Sequence, residues 1–78
     1  MSTKAFILIE TAVGKTREVA DSLKVVGGMQ SVDVVTGPYD VIAVIDTPDI
    51  NTMGGIVTEK IHTIAGVVRT VTCVAVSN

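Results

Sequence analysis

Apolar residues recur along the chain with two periods, one typical of strands and the other of helices. Four stretches rich in β-branched residues predict strands over residues 5–9, 30–36, 39–46 and 67–76. After the first stretch, apolar residues three or four positions apart predict the inner face of a helix: Val19, Ala20, Leu23 and Val26. This helix is expected to begin near Gly14-Lys15-Thr16 and to end before Gly27-Gly28.

A second helix is predicted after the third strand. Thr47-Pro48-Asp49 has the pattern of a helix start, in which Thr47 caps, Pro48 takes the first helical position and Asp49 interacts with the helix dipole. Apolar residues at helical spacing form its expected inner face: Ile50, Met53, Val57, Ile61 and Ile64. Gly54-Gly55 favours close packing of this helix on the sheet over a functional hinge, and Gly66 ends the helix.

The predicted order of elements is β-α-β-β-α-β with short connections. This order is typical of an α+β, ferredoxin-like domain, a four-stranded antiparallel sheet with both helices on one face. Right-handed crossovers place the first and third strands in the centre and the second and fourth at the edges. The whole chain, residues 1–78, is expected to be this single domain, with no DNA-binding domain.

The strands are apolar on both faces, although helices cover only one. Residues 5–9, residues 41–45 and most of residues 71–76 are apolar at nearly every position. Another subunit is the natural cover for the second face, so the sequence predicts a homodimer packed sheet against sheet. Cys73, in the middle of the last strand, is expected to be a small buried residue.

Composition and charge exclude several classes of protein. The net charge is −2 and the basic residues are scattered, so direct contact with nucleic acid is not expected. No apolar run is long enough to span a membrane, and the cytoplasm is the expected location. One cysteine and one histidine do not make a metal site, and nothing indicates a cofactor.

The turn between the second and third strands brings several functional groups close together in the sequence. Thr36-Gly37-Pro38-Tyr39-Asp40 combines a hydroxyl, a flexible glycine, an aromatic ring and a carboxylate, which makes it the best candidate site. Asp40 can either bind a ligand or cap its own backbone. Thr70 and Thr72 alternate on the last strand, either as residues of a subunit boundary or simply as good strand formers.

These segments together resemble a known family. Three runs carry the resemblance: Thr36-Gly37-Pro38-Tyr39-Asp40-Val41-Ile42, Thr47-Pro48-Asp49, and Ile64-Ala65-Gly66-Val67-Val68-Arg69-Thr70-Val71-Thr72. The chain is similar to the effector-binding domain of the leucine-responsive (Lrp/AsnC) transcription regulators. It resembles the version that stands alone, called RAM for regulation of amino-acid metabolism.

The resemblance implies a sensor rather than an enzyme. It implies dimers that assemble further, small effectors such as amino acids bound between dimers, and co-assembly with full-length Lrp/AsnC regulators. The effector residues would be Thr36, Gly37, Pro38, Tyr39, Asp40, Thr70 and Thr72. Asp40 suits a ligand ammonium, whereas the Gly37 backbone and the threonine hydroxyls suit a carboxylate. Pro38 replaces a polar residue often found there and removes one N–H donor.

Two other functions stay open at this point. Small ferredoxin-like dimers also serve as enzymes, for which His62 and Arg69 are the available candidates. The chain can equally be a purely structural assembly module, in which the turn only forms an interface.

Overall fold

The computed structural model describes residues 2–76 and confirms the predicted architecture. The elements are β1 (Thr3–Thr11), α1 (Thr16–Leu23), β2 (Met29–Val34), β3 (Val41–Thr47), α2 (Ile50–Ile56), a π-helical turn (Val57–Ile61) and β4 (Val67–Val74). The four strands are antiparallel in the order β2-β3-β1-β4, so β1 and β3 are central as predicted.

The core lies between one face of the sheet and the helices. Strands β1 and β3 pair with Ile7 opposite Ala43 and Ile9 opposite Val41, and all four side chains are buried on the helix side. Ile45 of β3 is also fully buried, and the helices contribute the other large buried residues: Val19, Leu23, Met53 and Ile61. The predicted helical periodicity is therefore confirmed at these positions.

The other face of the sheet carries apolar residues that none of the elements within residues 2–76 covers. Along the central strands and β4 these residues are Phe6, Leu8, Ile42, Val44, Val71 and Cys73, and we call them the open face. The ring of Phe6 pairs across strands with Val44 and Cys73 and is 39% exposed. Cys73 is also exposed, so the expectation of a buried cysteine is wrong for the single chain.

The second helix begins differently from the prediction. Asp49, rather than Thr47, is its N-cap, because the Asp49 Oδ1 atom accepts a hydrogen bond from the Thr52 N–H at 2.7 Å. This hydrogen bond to the charged form is the largest cause of the lowered pKa of Asp49. Pro48 precedes the cap, and the Thr47 hydroxyl donates to the Asp49 carbonyl at 2.8 Å. Ile50 is consequently the first helical residue and is 55% exposed, outside the predicted inner face.

Gly54 and Gly55 do not approach the sheet, so the predicted close packing is wrong. A Cβ at Gly54 would meet no atom within 4 Å, and one at Gly55 would meet only the Glu59 carboxylate at 3.9 Å. The helix then widens into its π-helical turn, where the His62 N–H donates to the Val57 carbonyl at 2.9 Å. The first helix ends at Leu23, and Val26 lies beyond it, half-buried.

Candidate functional site

The predicted site residues lie at one end of the sheet. The loop of residues 35–40 joins β2 to β3 there, beside the last residues of β1 and the first residues of β4. The loop is longer than the predicted turn, since β2 ends at Val34 and β3 begins at Val41. A hydrogen bond from the Val35 N–H to the Asp40 carbonyl, 2.9 Å long, closes it.

Asp40 is held to the end of β1 by its backbone and its side chain. Its N–H donates to the Ile9 carbonyl at 2.9 Å, and its Oδ2 atom accepts from the Thr11 N–H at 2.8 Å. The carboxylate therefore caps β1 rather than its own loop. Within residues 2–76, no cationic nitrogen lies within 4 Å of this carboxylate. One carboxylate oxygen is thus fixed in place while the negative charge stays unpaired.

The tip of the loop is open to solvent. Thr36, Gly37 and Pro38 are exposed, whereas Tyr39 and Asp40 are half-buried. Gly37 has a φ of 141°, a conformation that side-chain-bearing residues rarely adopt, and no atom lies within 4 Å of where its Cβ would be. A glycine is therefore favoured at position 37 by the backbone conformation, and its N–H lies in a solvent-exposed part of the loop.

Tyr39 joins a small polar network that the sequence did not reveal. The Cζ atom of Arg69 lies 5.8 Å from the centroid of the Tyr39 ring, within the range of a cation–π contact. The Arg69 Nε atom lies 3.5 Å from Glu10 Oε1, across the β1–β4 pair. The spacing in the sequence gives no sign of this contact, because it depends on the register that pairs Glu10 with Arg69.

Thr70 and Thr72 lie on the helix side of β4, opposite Ile9 and Ile7 of β1. The Thr70 hydroxyl is 2.7 Å from the His62 Nε2 atom, which places the histidine at the edge of the sheet. An open cavity of about 360 Å³ lies beside this pair, lined by His62, Val67, Val68, Arg69 and Thr70. The structure thus adds His62 to the surroundings of a predicted site residue.

The loop and the two threonines do not form one pocket within a single chain. Asp40 precedes β3 and Thr70 belongs to β4, with β1 between them. Neighbouring strands are about 4.8 Å apart, so the two backbones are separated by about 10 Å. The cavity beside Thr70 is lined by none of the loop residues, so Asp40 and Thr70 of one chain do not share a pocket.

The sequence also matches a protein-family model, the one described as the Lrp/AsnC ligand binding domain, over residues 4–78. The chain belongs to the Lrp/AsnC family. An uncharacterised HTH-type transcriptional regulator of Pyrococcus furiosus is 35% identical over 96% of this chain and 52% of its own length. The Lrp/AsnC chain described here spans about half the length of that curated relative.

Solved structures of Lrp/AsnC and related proteins share the fold. A hypothetical protein of Pyrococcus horikoshii is 34% identical, with a TM-score of 0.89 over 97% of this chain and 92% of its own. A transcriptional regulator of Neisseria meningitidis, described as a complex with L-Met, has a TM-score of 0.86 over 96% of this chain and 50% of its own. It is 21% identical, so this likeness concerns the fold. The match to the family model confirms the resemblance to the Lrp/AsnC effector-binding domain.

Two further observations describe the Lrp/AsnC chain as far as the structure covers it. Residues 2–76 contain no cluster of three or more histidine, cysteine, aspartate or glutamate residues able to hold a metal ion. Among the same residues, no helix has the length and apolar character needed to cross a membrane.

Proposed function

We propose that this Lrp/AsnC domain binds a small amino acid at a site that two subunits complete. The observation that carries the proposal is the state of Asp40, whose carboxylate is anchored by the Thr11 N–H and has no cationic partner within residues 2–76. An anchored, unpaired carboxylate is the group that an ammonium requires, because charge-assisted hydrogen bonds are about twice as strong as neutral ones.

The carboxylate of the ligand needs hydrogen-bond donors. The proposed donors are the N–H of Gly37 and the hydroxyls of Thr70 and Thr72, with Thr36, Pro38 and Tyr39 shaping the loop around the ligand. Pro38 has no N–H, so the number of backbone donors at the loop tip is reduced by one. Since β1 lies between Asp40 and Thr70 of one chain and the cavity beside Thr70 contains no loop residue, we assign the two residues to different subunits around the same ligand.

The open face supports the assembly that such a shared site needs. Its apolar residues continue across β1, β3 and β4, and contiguous apolar surfaces of this kind mark interfaces. The proposed cover is the same face of a second copy, because a two-fold dimer buries one surface against itself. Dimers would then assemble further and bring the loop of one subunit beside β4 of another.

The comparisons favour an effector domain over the two alternatives. The Pyrococcus furiosus relative is named as a transcriptional regulator, and the Neisseria meningitidis regulator is described as bound to L-Met. The enzyme candidates His62 and Arg69 are engaged with different partners, Thr70 and Glu10 respectively. We therefore propose that the domain reports amino-acid levels, and that it does so by co-assembling with full-length Lrp/AsnC regulators.

The test is isothermal titration calorimetry of the domain against each proteinogenic amino acid. The matched variant is Asp40→Asn, which keeps an oxygen that can accept from the Thr11 N–H but removes the charge. A hydrogen bond to a charged group contributes about 1.5–3 kcal/mol, so the variant should bind about 10- to 100-fold more weakly with little change in melting temperature. If no amino acid gives a heat of binding, the proposal that the ligand is an amino acid is wrong. A stable oligomer whose size does not change with any amino acid would favour a structural module.

A further inference from the structure

A second carboxylate lies at the same end of the sheet as Asp40. Glu10 is placed between Ile9 and Thr11, the two β1 residues to which Asp40 is hydrogen-bonded. The side chains of Glu10 and Arg69 are both partly exposed, 44% and 62% respectively, so either charge is within reach of solutes. Whether a ligand encounters one or two unpaired carboxylates here depends on whether a cation neutralises Glu10.

Arg69 forms an ion pair with Glu10 and not with Asp40. The Arg69 Nε atom lies 3.5 Å from Glu10 Oε1, whereas no cation lies within 4 Å of Asp40 in residues 2–76. Of the two carboxylates of Asp40 and Glu10, only that of Asp40 is therefore left without a cationic partner among the described residues. One such charge matches the single ammonium of an amino acid whose side chain is uncharged.

Arg69 also lies beside the aromatic ring of the loop. Its guanidinium lies 5.8 Å from the centroid of the Tyr39 ring. An aromatic face attracts cations, so an uncovered Tyr39 would offer a second position for a positively charged ligand group. With Arg69 beside the ring, a second ligand cation would meet a like charge there.

We propose that Arg69 sets the ligand class of this site: it selects amino acids with uncharged side chains and rejects diamino acids. This inference rests on the proposed function, since it concerns the ligand that Asp40 binds. Removing Arg69 frees both Glu10 and the Tyr39 ring. The site then carries two anions and an open aromatic face, which suit the two ammonium groups of lysine.

The experiment measures the affinities of L-methionine and L-lysine by calorimetry for the wild-type domain and for charge variants. The wild type is expected to prefer methionine. Arg69→Gln should raise the affinity for lysine relative to methionine by about tenfold, a change of the size that one new charge contact produces. The gain should shrink as salt concentration rises, because the groups involved are exposed.

Two matched variants separate charge from structure. Glu10→Gln/Arg69→Gln removes the second anion as well, so its lysine-to-methionine ratio should fall back toward that of the wild type. Arg69→Lys keeps the positive charge and should keep the wild-type ratio. Circular dichroism checks that each variant is folded, which is expected because neither side chain is buried in the core.

The outcomes distinguish this inference from the proposed function. A wild type that binds methionine, together with an unchanged ratio in Arg69→Gln, overturns the role of Arg69 and leaves the amino-acid site standing. A wild type that prefers lysine also overturns it. If the wild type binds neither these two ligands nor any other amino acid, the proposed function fails and the inference fails with it.

Discussion

The substitution Phe6→Ser tests whether a second copy covers the open face. Phe6 lies on central strand β1, and its cross-strand partners on that face are Val44 and Cys73. The ring is 39% exposed in the single chain, so it retains apolar surface that a partner can bury. Serine removes this surface while leaving the buried residues on the other face of β1 in place.

The expected effect follows from the area that remains exposed. A phenylalanine side chain offers about 200 Å² for burial, so 39% exposure leaves about 80 Å². At about 25 cal/mol per Å², burying this area contributes about 2 kcal/mol for each ring. A two-fold dimer buries two such rings, so Phe6→Ser should weaken dimerisation by about 4 kcal/mol, or about a thousandfold in the dissociation constant.

Sedimentation equilibrium over a dilution series measures this change. The control is Val25→Ser, because Val25 is 85% exposed and follows α1, away from the open face. The control should dimerise like the wild type, and both variants should keep their circular dichroism spectra. A monomeric wild type at every concentration, or a Phe6→Ser variant indistinguishable from the control, would refute the sheet-to-sheet dimer.

Two predictions concern the stability of the chain itself. Gly28 has a φ of 87°, and a Cβ there would lie 2.8 Å from the Asp46 carbonyl oxygen. Gly28→Ala should therefore cost at least about 2 kcal/mol in a denaturant titration. Gly27→Ala, whose Cβ meets no atom within 4 Å, is the control and should be tolerated; equal losses would contradict the reasoning. The lowered pKa of Asp49 means that its carboxylate stabilises the fold above its ordinary pKa and loses this effect as pH falls through the lower folded value. The melting temperature of Asp49→Asn, which keeps a capping oxygen, should thus be lower than that of the wild type at neutral pH and should approach it below about pH 4; a difference independent of pH would be evidence against a contribution from the negative charge of Asp49.

The sequence predicted the fold because apolar periodicity is strong in every element. The two central strands and the buried positions of both helices follow directly from it, as Val19, Leu23, Met53 and Ile61 show. The predicted burial was wrong where a local feature other than apolar periodicity determines which side chains face the core. Ile50 continues the apolar pattern of α2, but the cap at Asp49 places it on the exposed first turn.

The glycine pair and the cysteine were misjudged for related reasons. Gly54 and Gly55 suggested tight packing, yet they lie where α2 faces away from the sheet, before the helix widens into its π-helical turn. Cys73 is surrounded by apolar residues in the sequence, but its side chain lies on the open face rather than in the core. The apolar pattern of a sequence shows that a residue is suited to burial. It does not show whether its own chain or a partner covers it.

The candidate site was predictable only where its groups are close in sequence. The loop around Tyr39 and Asp40 was found from its composition. The contact of Tyr39 with Arg69 joins positions far apart in the chain and depends on the strand register, as does the anchoring of Asp40 by Thr11. The bond from His62 to Thr70 likewise depends on where the second helix ends relative to β4.

The distribution of charge on the open face connects the dimer proposal with the ligand proposal. Lys4 lies opposite Asp46 in the strand register at one end of the central strands, and Glu10 forms an ion pair with Arg69 at the other, while the residues between them are apolar. A charged rim around an apolar centre is the usual composition of a protein interface. Arg69 therefore lies on the rim, where the open face meets the loop. A rim residue stays hydrated when the apolar centre is buried, so dimerisation through this face would leave Arg69 beside Tyr39 and accessible to a ligand.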